Sequence, residues 1–243
     1  MRLLSTILIL IGSYSIYAQM SIGVMSEPTL SIASVGALPR GESDSIKNLK
    51  QASRSISLGL EVRKDIDRYQ SITFIPGYLQ TNMLLVKRDL QLFDVVHPLL
   101  PEIRDLAQAS EKVAYITHRQ KYVGTQIIYS KKLQVKGLDR KFKLELGGGL
   151  GGYFLIQNDV KIRTEGFAFS EKFVHVFADS TGLEAKPLLI QAIVTADINY
   201  DLTPKSHLVA GIKASAPFTS TSFSAPKITI IAPALRIGLR FDI

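Results

Sequence analysis

The sequence predicts an all-β fold: an eight-stranded antiparallel up-and-down barrel that crosses a membrane with its strands. Three observations lead to this fold class. Stretches that alternate between apolar and polar residues recur along the chain, the connections between them are alternately short and long, and the last stretch runs to the final residue. Because side chains on a strand point alternately to opposite faces, such stretches indicate strands with one apolar face. We therefore expect one barrel domain over residues 19–243.

The closing stretch, Ala234 to Ile243, alternates over its whole length. One face carries only apolar residues, namely Leu235, Ile237, Leu239, Phe241 and Ile243. The opposite face carries small or charged residues, namely Ala234, Arg236, Gly238, Arg240 and Asp242. A soluble barrel buries its apolar face, whereas a membrane barrel turns that face to lipid and its polar face to the lumen. Alternation by itself does not decide which face is inside.

Seven earlier stretches show the same alternation. We predict strands at Ile22 to Val35, Ser55 to Arg63, Ser71 to Tyr78, Tyr122 to Lys131, Phe142 to Ile156, Leu188 to Leu202 and Leu208 to Ser215. Pro28 interrupts the first of these, as it does in an edge or seam strand. The fifth contains the glycine run 147–152, which lacks the lysine and the strand-to-helix context of a phosphate-binding loop. Gly147, Gly149 and Gly151 are expected on the inner face, where they leave room for long side chains.

The connections give an independent signal. Those around Asp65, Gly137 and Pro204 are short, while the first, third and fifth are long. This alternation is typical of bacterial outer-membrane barrels, with short periplasmic turns and longer external loops. An even number of strands then places both termini in the periplasm. Four aromatic residues fall at the periplasmic strand ends, as an aromatic girdle requires: Tyr129, Phe142, Tyr200 and Phe241.

The first 18 residues have the pattern of a secretory signal peptide. Arg2 precedes a mostly apolar segment, Leu3 to Gly12, and Ser13 to Ala18 supplies a cleavage site after Ala18. A short N-terminal anchor is the alternative, although the apolar run is shorter than the roughly 18 residues that a spanning helix needs. The sequence therefore predicts an exported protein.

Composition restricts the chemistry that the chain can perform. It has no cysteine, so a disulfide, a thiolate metal site and acylation at a cysteine are excluded. Its 29 Lys and Arg residues outnumber 21 Asp and Glu residues, giving a net charge of +8. A basic exported protein often faces anionic lipid or glycolipid. Because the basic residues are scattered along the sequence, we expect no nucleic-acid partner.

Three segments resemble the small porin-family outer-membrane β-barrel proteins of Gram-negative bacteria, of the OmpA/OmpX eight-stranded type. Residues 236–243 are similar to the β-signal that the barrel-assembly machinery reads, Leu144 to Ile156 resembles the family's fifth strand, and Gly59 to Tyr78 resembles its second hairpin. The resemblance implies an outer-membrane location and an assembly signal formed by Arg236, Gly238, Phe241 and Ile243. The chain departs from the family's pattern in ending on isoleucine, and we expect no peptidoglycan-binding domain after the barrel.

Charged residues are predicted on the inner face of several strands. They are Glu61, Arg63, Lys143, Glu145, Asp197, Lys213, Arg236 and Arg240. Arg236 and Arg240 are expected to find partners in Glu27 and Asp197 if they point into the lumen. An eight-stranded barrel is just wide enough for its side chains to fill, so these charges are expected to pair and plug the lumen. An ion path through the lumen is the alternative.

No residue is nominated as catalytic, and no cofactor or metal is expected. The external-loop histidines His97 and His175, near Asp94 and Asp179, would suit an enzyme at the barrel rim, but their spacing singles out no nucleophile. A short helix is predicted in the third connection, from Pro101 to Ala107, with proline in its first turn. The fifth connection, Gln157 to Lys186, carries several phenylalanines that either contact a partner or pack on one another.

The function expected from these features is structural or surface-interacting, in the outer membrane and without enzymatic activity. Expected partners are outer-membrane lipid and lipopolysaccharide, the barrel-assembly machinery during insertion, and an envelope protein or glycan that contacts the external loops. Three alternatives remain open: a narrow porin, a lipid-modifying enzyme at the rim, and a soluble periplasmic binder of lipocalin type.

Overall fold

The fold is a closed barrel of eight antiparallel strands, which confirms the predicted fold class. The computed structural model describes residues 19–35, 52–88, 113–134, 139, 141–165, 185–221 and 228–243. The strands are β1 (Met20–Val35), β2 (Ala52–Asp65), β3 (Gln70–Arg88), β4 (Val113–Leu133), β5 (Phe142–Glu165), β6 (Leu188–Thr203), β7 (Ser206–Pro217) and β8 (Ile228–Asp242). Each strand pairs with its sequence neighbours, and β8 pairs with β1.

Several expectations concern residues outside this description. They are the signal peptide at 1–18, the helix at Pro101 to Ala107, the loop histidines His97 and His175, and residues 166–184 of the fifth connection. No helix among the described residues is long and apolar enough to cross a membrane.

The barrel has two unlike ends. At the turn end lie both termini of the described barrel and the short connections that follow β2, β4 and β6. At the loop end lie the longer connections, whose central residues are outside the description. Phe142 and Tyr200 pack at the turn end with their ring centroids 4.8 Å apart.

Burial alternates along the strands with a period of two, as the sequence pattern predicts. In β6, every second residue from Leu189 to Asn199 is buried, and the residues between them are half-buried or exposed. The exposed set is apolar: Val194 is 64% exposed, and Phe154 on β5 is 63% exposed. The buried set on the inner side includes many polar and charged side chains. This distribution reverses the usual arrangement of a soluble protein, which buries its apolar side chains.

The seam between β1 and β8 is paired less continuously than the other seams. Their register is regular from Ser21–Asp242 to Ser26–Ile237 and then skips the positions beside Pro28 and Pro233. Proline has no N–H to donate to the ladder, so a proline on each strand removes donors from the same stretch of seam. Pro28 thus lies in the strand that closes the barrel.

Strands β3, β4 and β5 extend well beyond the predicted limits. They contain 19, 21 and 24 residues, and Gln157 to Glu165, which the sequence predicts as loop, belongs to β5. The prediction was wrong because the outward residues directly after Tyr78 on β3 (Gln80 and Asn82) and directly before Val123 on β4 (Lys121 and Arg119) are polar, while backbone pairing continues. A bulge also interrupts the alternation on β5, because Tyr122 pairs with Leu155 whereas Lys121 pairs with Gln157. We call the parts of these three strands beyond Tyr78, Val123 and Phe154 the β3–β5 extension.

Candidate functional site

The lumen near the turn end holds two ion pairs. Arg63 donates from Nη1 to Glu145 Oε2 over 2.6 Å and from Nη2 to Oε1 over 2.9 Å, so guanidinium and carboxylate meet through two parallel hydrogen bonds. Arg240 donates from Nε to Glu61 Oε1 over 2.7 Å and from Nη1 to Asn199 over 3.0 Å. Such charge-assisted pairs are the stronger class of side-chain hydrogen bond. Together they link β2, β5, β6 and β8 across the lumen.

A second group of charges lies half-way along the barrel and centres on Glu27. The carboxylate of Glu27 accepts hydrogen bonds from Lys213 Nζ and, over 3.1 Å, from Arg236 Nε. The guanidinium of Arg236 also donates to Asp197. Gln126 approaches Glu27 from β4, with Nε2 to Oε2 at 3.3 Å. Every charged group here therefore has a partner of opposite sign on another strand.

Large apolar side chains fill further parts of the lumen. Leu79, Tyr122, Tyr153 and Leu189 form one buried cluster, and Ile75, Ile128 and Ile193 form another. The hydroxyl of Tyr122 donates to Gln120 Oε1 over 3.0 Å. Glycines at 147 and 151 make room for this packing, since a Cβ at either one would crowd side chains that reach across from neighbouring strands.

Among the residues that the structure describes, the charges buried in the lumen balance in number. Glu27, Glu61, Glu145 and Asp197 are acidic, and Arg63, Lys213, Arg236 and Arg240 are basic. Burying an unpaired charge costs several kcal/mol, so a water-poor lumen favours equal numbers of both signs. At the turn-end mouth, a polar cavity of about 70 Å³ is bordered by Gln19, Ser21, Lys132 and Asp242.

The structure places most of the inner-face charges together. Lys143 differs, because its side chain is 43% exposed at the turn-end mouth and pairs with Asp201 at 2.7 Å. Arg236 contacts both Glu27 and Asp197, whereas Arg240 pairs with Glu61 and not with either expected acid. Glu27 is not among the eight charges predicted on the inner face, but it was expected as a lumen partner, and the structure buries it against Arg236 and Lys213.

The four residues that the resemblance assigns to an assembly signal lie on β8 or directly after it. Arg236 and Gly238 face inward, while Phe241 and Ile243 are exposed on the outer side. The backbone N–H of Ile243 donates to the Met20 carbonyl over 3.0 Å. A side chain at Gly238 would meet the Val24 carbonyl at 2.6 Å, so close packing of β8 on β1 requires glycine there.

Two histidines lie within the described residues. His118 is buried on β4 in the β3–β5 extension, with no hydrogen-bond partner for either ring nitrogen among the described residues, and burial lowers its pKa to about 4. His207 sits at the turn end between Asp201, with Nδ1 to Oδ1 at 2.7 Å, and Asp242, with Nε2 to Oδ2 at 3.1 Å. No group of three or more metal-ligating side chains occurs in the part of the chain that the structure describes.

Comparison with known proteins shows similarity in fold to solved outer-membrane barrels. Neisserial surface protein A is 12% identical, with 90% of this chain and 96% of that chain covered and a TM-score of 0.42. OprG from Pseudomonas aeruginosa is 9% identical, with 93% and 96% covered and a TM-score of 0.48. Ail, the attachment invasion locus protein of Yersinia pestis, is 8% identical, with 92% and 99% covered and a TM-score of 0.32.

No protein-family model and no curated protein matches the chain. The eight-stranded architecture that the resemblance implied is present. At such low identities, and with TM-scores below 0.5, these likenesses carry no argument about function.

Proposed function

We propose that the chain is an outer-membrane β-barrel protein of a Gram-negative cell envelope, with a structural or surface-interaction role and a lumen closed by ion pairs. The observation that supports this proposal is the reversed distribution of polarity. Large apolar side chains cover the outer face of every strand, and charged side chains are buried inside. Lipid is the solvent in which such an outer face is stable.

The dimensions of the apolar face suit a bilayer. From Phe142 to Phe154, β5 rises about 40 Å at ~3.3 Å per residue, and a tilt of roughly 40–45° reduces this to about 28–30 Å along the barrel axis. The hydrocarbon core of a bilayer is about 30 Å thick. A soluble binder of lipocalin type would instead need an apolar interior with room for a ligand, but this lumen holds paired charges and packed aromatic rings.

The turn end is the periplasmic end in this proposal. Short connections are typical of the periplasmic side, and both termini of the described barrel lie there. Phe241 and Ile243 are then accessible to the barrel-assembly machinery, which we propose reads them together with Arg236 and Gly238. The opposite end presents the longer connections to the outside, where an envelope protein or glycan is proposed to bind. Outer-membrane lipid and lipopolysaccharide surround the apolar outer face of the strands, which we call the apolar belt.

The closed lumen favours a non-conducting barrel. The pair Arg63–Glu145 and the cluster around Glu27 cross the interior from strands on opposite sides. Planar-bilayer recording on the purified protein tests this point, and we expect no reproducible single-channel current. A stable open-channel current would favour the narrow porin instead.

Cell fractionation combined with gel mobility tests the location. We expect the protein in the outer-membrane fraction and expect unheated samples to migrate differently from boiled samples, because a folded barrel resists detergent at room temperature. Recovery in the soluble periplasmic fraction, without heat-dependent mobility, would contradict the proposal.

The remaining alternative, a lipid-modifying enzyme, is tested by mass spectrometry of envelope lipids after substitution of His97 and His175, and unchanged lipids are expected.

A further inference from the structure

An apolar groove crosses the outer face of the barrel at the seam between β1 and β8. Its volume is about 760 Å³, and its lining runs from β5 across β6, β7, β8 and β1 to β2. Ligand pockets in proteins typically have volumes of roughly 300–1,000 Å³. The groove contains small outward residues, namely Pro28, Ala196, Ala214 and Pro233. Larger apolar side chains, including the exposed Ile212 and Leu235, stand beside them.

Strand register brings the small residues of the groove together. Ala214 on β7 lies opposite Val194 on β6 and opposite Pro233 on β8. Pro28 on β1 continues the line across the seam, at the point where regular pairing with β8 is interrupted. Because outward side chains on neighbouring strands stand next to one another, small residues on adjacent strands leave a continuous depression between the larger ones.

The groove rises from the middle of the apolar belt to its border at the loop end. Leu146 is four residues from the turn end of β5, Leu235 is seven from that of β8, and Arg54 is eleven from that of β2. At ~3.3 Å per residue and a tilt of roughly 40–45°, Arg54 lies about 16–18 Å further along the barrel axis than Leu146. Half of the hydrocarbon core of a bilayer is about 15 Å thick. The groove therefore extends through one leaflet.

Arg54 gives the groove a positive charge where it reaches the loop end. Its side chain is exposed on the outward face of β2, and the next outward residue toward the turn end is the apolar Ile56. Asn82 Nδ2 donates to the backbone carbonyl of Arg54, but the guanidinium has no hydrogen-bond or ion-pair partner among the described residues. Lys213, the other charged residue of the lining, pairs with Glu27 in the lumen. The guanidinium of Arg54 is thus available to an external anion.

A second apolar groove on the outer face provides an internal comparison. It has a volume of about 920 Å³, and Val24, Leu60 and Tyr78 are among its outward residues. None of the described residues that line this second groove is charged. Acyl chains can fill either depression, so an apolar lining alone selects no particular lipid. The groove that ends at Arg54 differs because it joins an apolar surface to an unpaired positive charge.

We propose that this groove binds one acyl chain of an anionic glycerophospholipid whose phosphate contacts Arg54. The inference rests on the proposed function, because the groove faces lipid only if the apolar belt is in a membrane. Arginine forms charge-assisted and often bidentate hydrogen bonds with phosphate oxygens. The described neighbours of Arg54 on the adjacent strands, Leu30 and Asn82, are uncharged. A single guanidinium matches a lipid with one phosphate, whereas a lipid with two phosphates would need a second cation.

The contribution of the charge is tested with two variants that each lose one positive charge from the outward face of β2. Arg54→Gln removes the charge at the groove, and Lys64→Gln, at the opposite end of the strand, is the control. The folded protein in detergent is titrated with phosphatidylglycerol and with phosphatidylcholine of the same acyl chains, and bound lipid is counted by native mass spectrometry. We expect the wild type to bind phosphatidylglycerol about fivefold more tightly than phosphatidylcholine. Arg54→Gln should abolish this preference, and Lys64→Gln should retain it.

The contribution of the groove is tested by filling it. Ala214→Phe places a ring in the groove, while Ala210→Phe places the same ring on the outward face of β7 outside the lining. We expect Ala214→Phe to weaken the binding of phosphatidylglycerol about tenfold, which corresponds to lost contact with about two methylene groups. Ala210→Phe should bind this lipid within about twofold of the wild type.

Several results would overturn the proposal. They are equal affinity of the wild type for the two lipids, equal effects of Arg54→Gln and Lys64→Gln, and equal effects of Ala214→Phe and Ala210→Phe. Tighter binding of bisphosphorylated lipid A than of phosphatidylglycerol, with loss of that binding in Arg54→Gln, would also overturn it. The groove would then be a site for lipopolysaccharide.

Heat-modifiable mobility separates failure of this inference from failure of the proposed function. A wild-type protein that inserts into vesicles but binds both lipids equally would refute only the phospholipid site. A wild-type protein that does not insert would refute the membrane location itself. If Ala214→Phe does not fold, Ala214→Leu provides the same comparison with Ala210→Leu, and a difference in the same direction is expected.

Discussion

The ion pair between Arg63 and Glu145 provides a direct measure of how strongly the lumen charges stabilise the barrel. Both side chains are almost fully buried, at 3% and 4% exposure, and they meet through two parallel hydrogen bonds. Removing one partner from a buried pair typically costs about 3–5 kcal/mol, because the other charge is left unpaired. The two single substitutions should therefore both be severe.

The structure predicts that the two substitutions differ. After Glu145→Gln, Arg63 keeps Asp65, which accepts from its Nε over 2.8 Å, so we expect a loss near the lower limit, about 3 kcal/mol. After Arg63→Met, Glu145 has no other hydrogen-bond donor among the described residues, so we expect about 5 kcal/mol. The double variant Arg63→Met/Glu145→Leu buries no unpaired lumen charge at this site and should be more stable than either single variant.

Urea unfolding of the protein refolded into phospholipid vesicles measures these differences in unfolding free energy. The chain has nine tyrosines and no tryptophan, so tyrosine fluorescence and heat-modifiable gel mobility report the folded fraction. Lys143→Met is the control, because the Lys143–Asp201 pair is partly exposed and should contribute about 0–1 kcal/mol. If each single variant loses less than about 1 kcal/mol of unfolding free energy, or if the two losses simply add in the double variant, the lumen is hydrated. The proposal of a lumen closed by ion pairs would then be wrong.

Three further predictions follow from single positions. Gly149→Ala should prevent folding or cost several kcal/mol, because the new Cβ would collide with the Ile127 carbonyl. The control is Gly148→Ala, whose new methyl group would point into open space, so the free energy of unfolding in urea should stay unchanged or rise slightly. Val194→Arg should cost about 2–4 kcal/mol in vesicles, since Val194 is at the middle of the belt, and an unchanged free energy of unfolding would argue against lipid contact there. The pKa of His118 is about 4 in the folded protein against an ordinary value of 6.5, so folding favours the neutral imidazole. The free energy of unfolding should therefore be highest above pH 6.5 and should fall by about 3 kcal/mol as the pH drops to 4. His118→Leu should flatten that pH dependence of unfolding, and an equally steep acid loss in this variant would exclude His118 as its source.

The strands and the directions of their side chains were predictable because each side of the barrel contacts one kind of medium along most of the length of a strand. From Leu188 to Leu202, one face contacts an apolar medium throughout, so the period-2 pattern is uninterrupted and the strand limits agree within one residue with β6 (Leu188–Thr203). The same reasoning failed on β3, β4 and β5. Beyond the belt both faces tolerate polar residues, so hydrogen-bonded pairing continues without leaving a pattern in the sequence.

Partner choice inside the lumen could not be predicted from alternation alone. Alternation predicts that the side chains of Arg240 and Glu61 point inward. Whether they contact each other depends on the stagger between strands β8, β1 and β2, for which the sequence carries no local signal. The contacts of Arg236 with Glu27 and Asp197 were expected, whereas the pairing of Lys213 with Glu27 was not, because alternation does not relate β7 to β1. Similarly, Arg119 comes to lie on the same outward face as Lys161 and Arg163 only through the β4–β5 register and its bulge.

The balance of charge distinguishes what each group of residues can do. In the lumen, where partners must come from the protein itself, four acidic and four basic residues occur together, because an unpaired charge in that interior would destabilise the fold. On the exposed surface at the turn end, solvent is available, so a charge without a close partner is tolerated there. Removing one lumen charge should consequently lower the free energy of unfolding by several kcal/mol, whereas Lys131→Gln, at an exposed position of the turn end, should change it by less than about 0.5 kcal/mol. Equal losses in the two kinds of variant would show that the lumen charges are as hydrated as the surface charges.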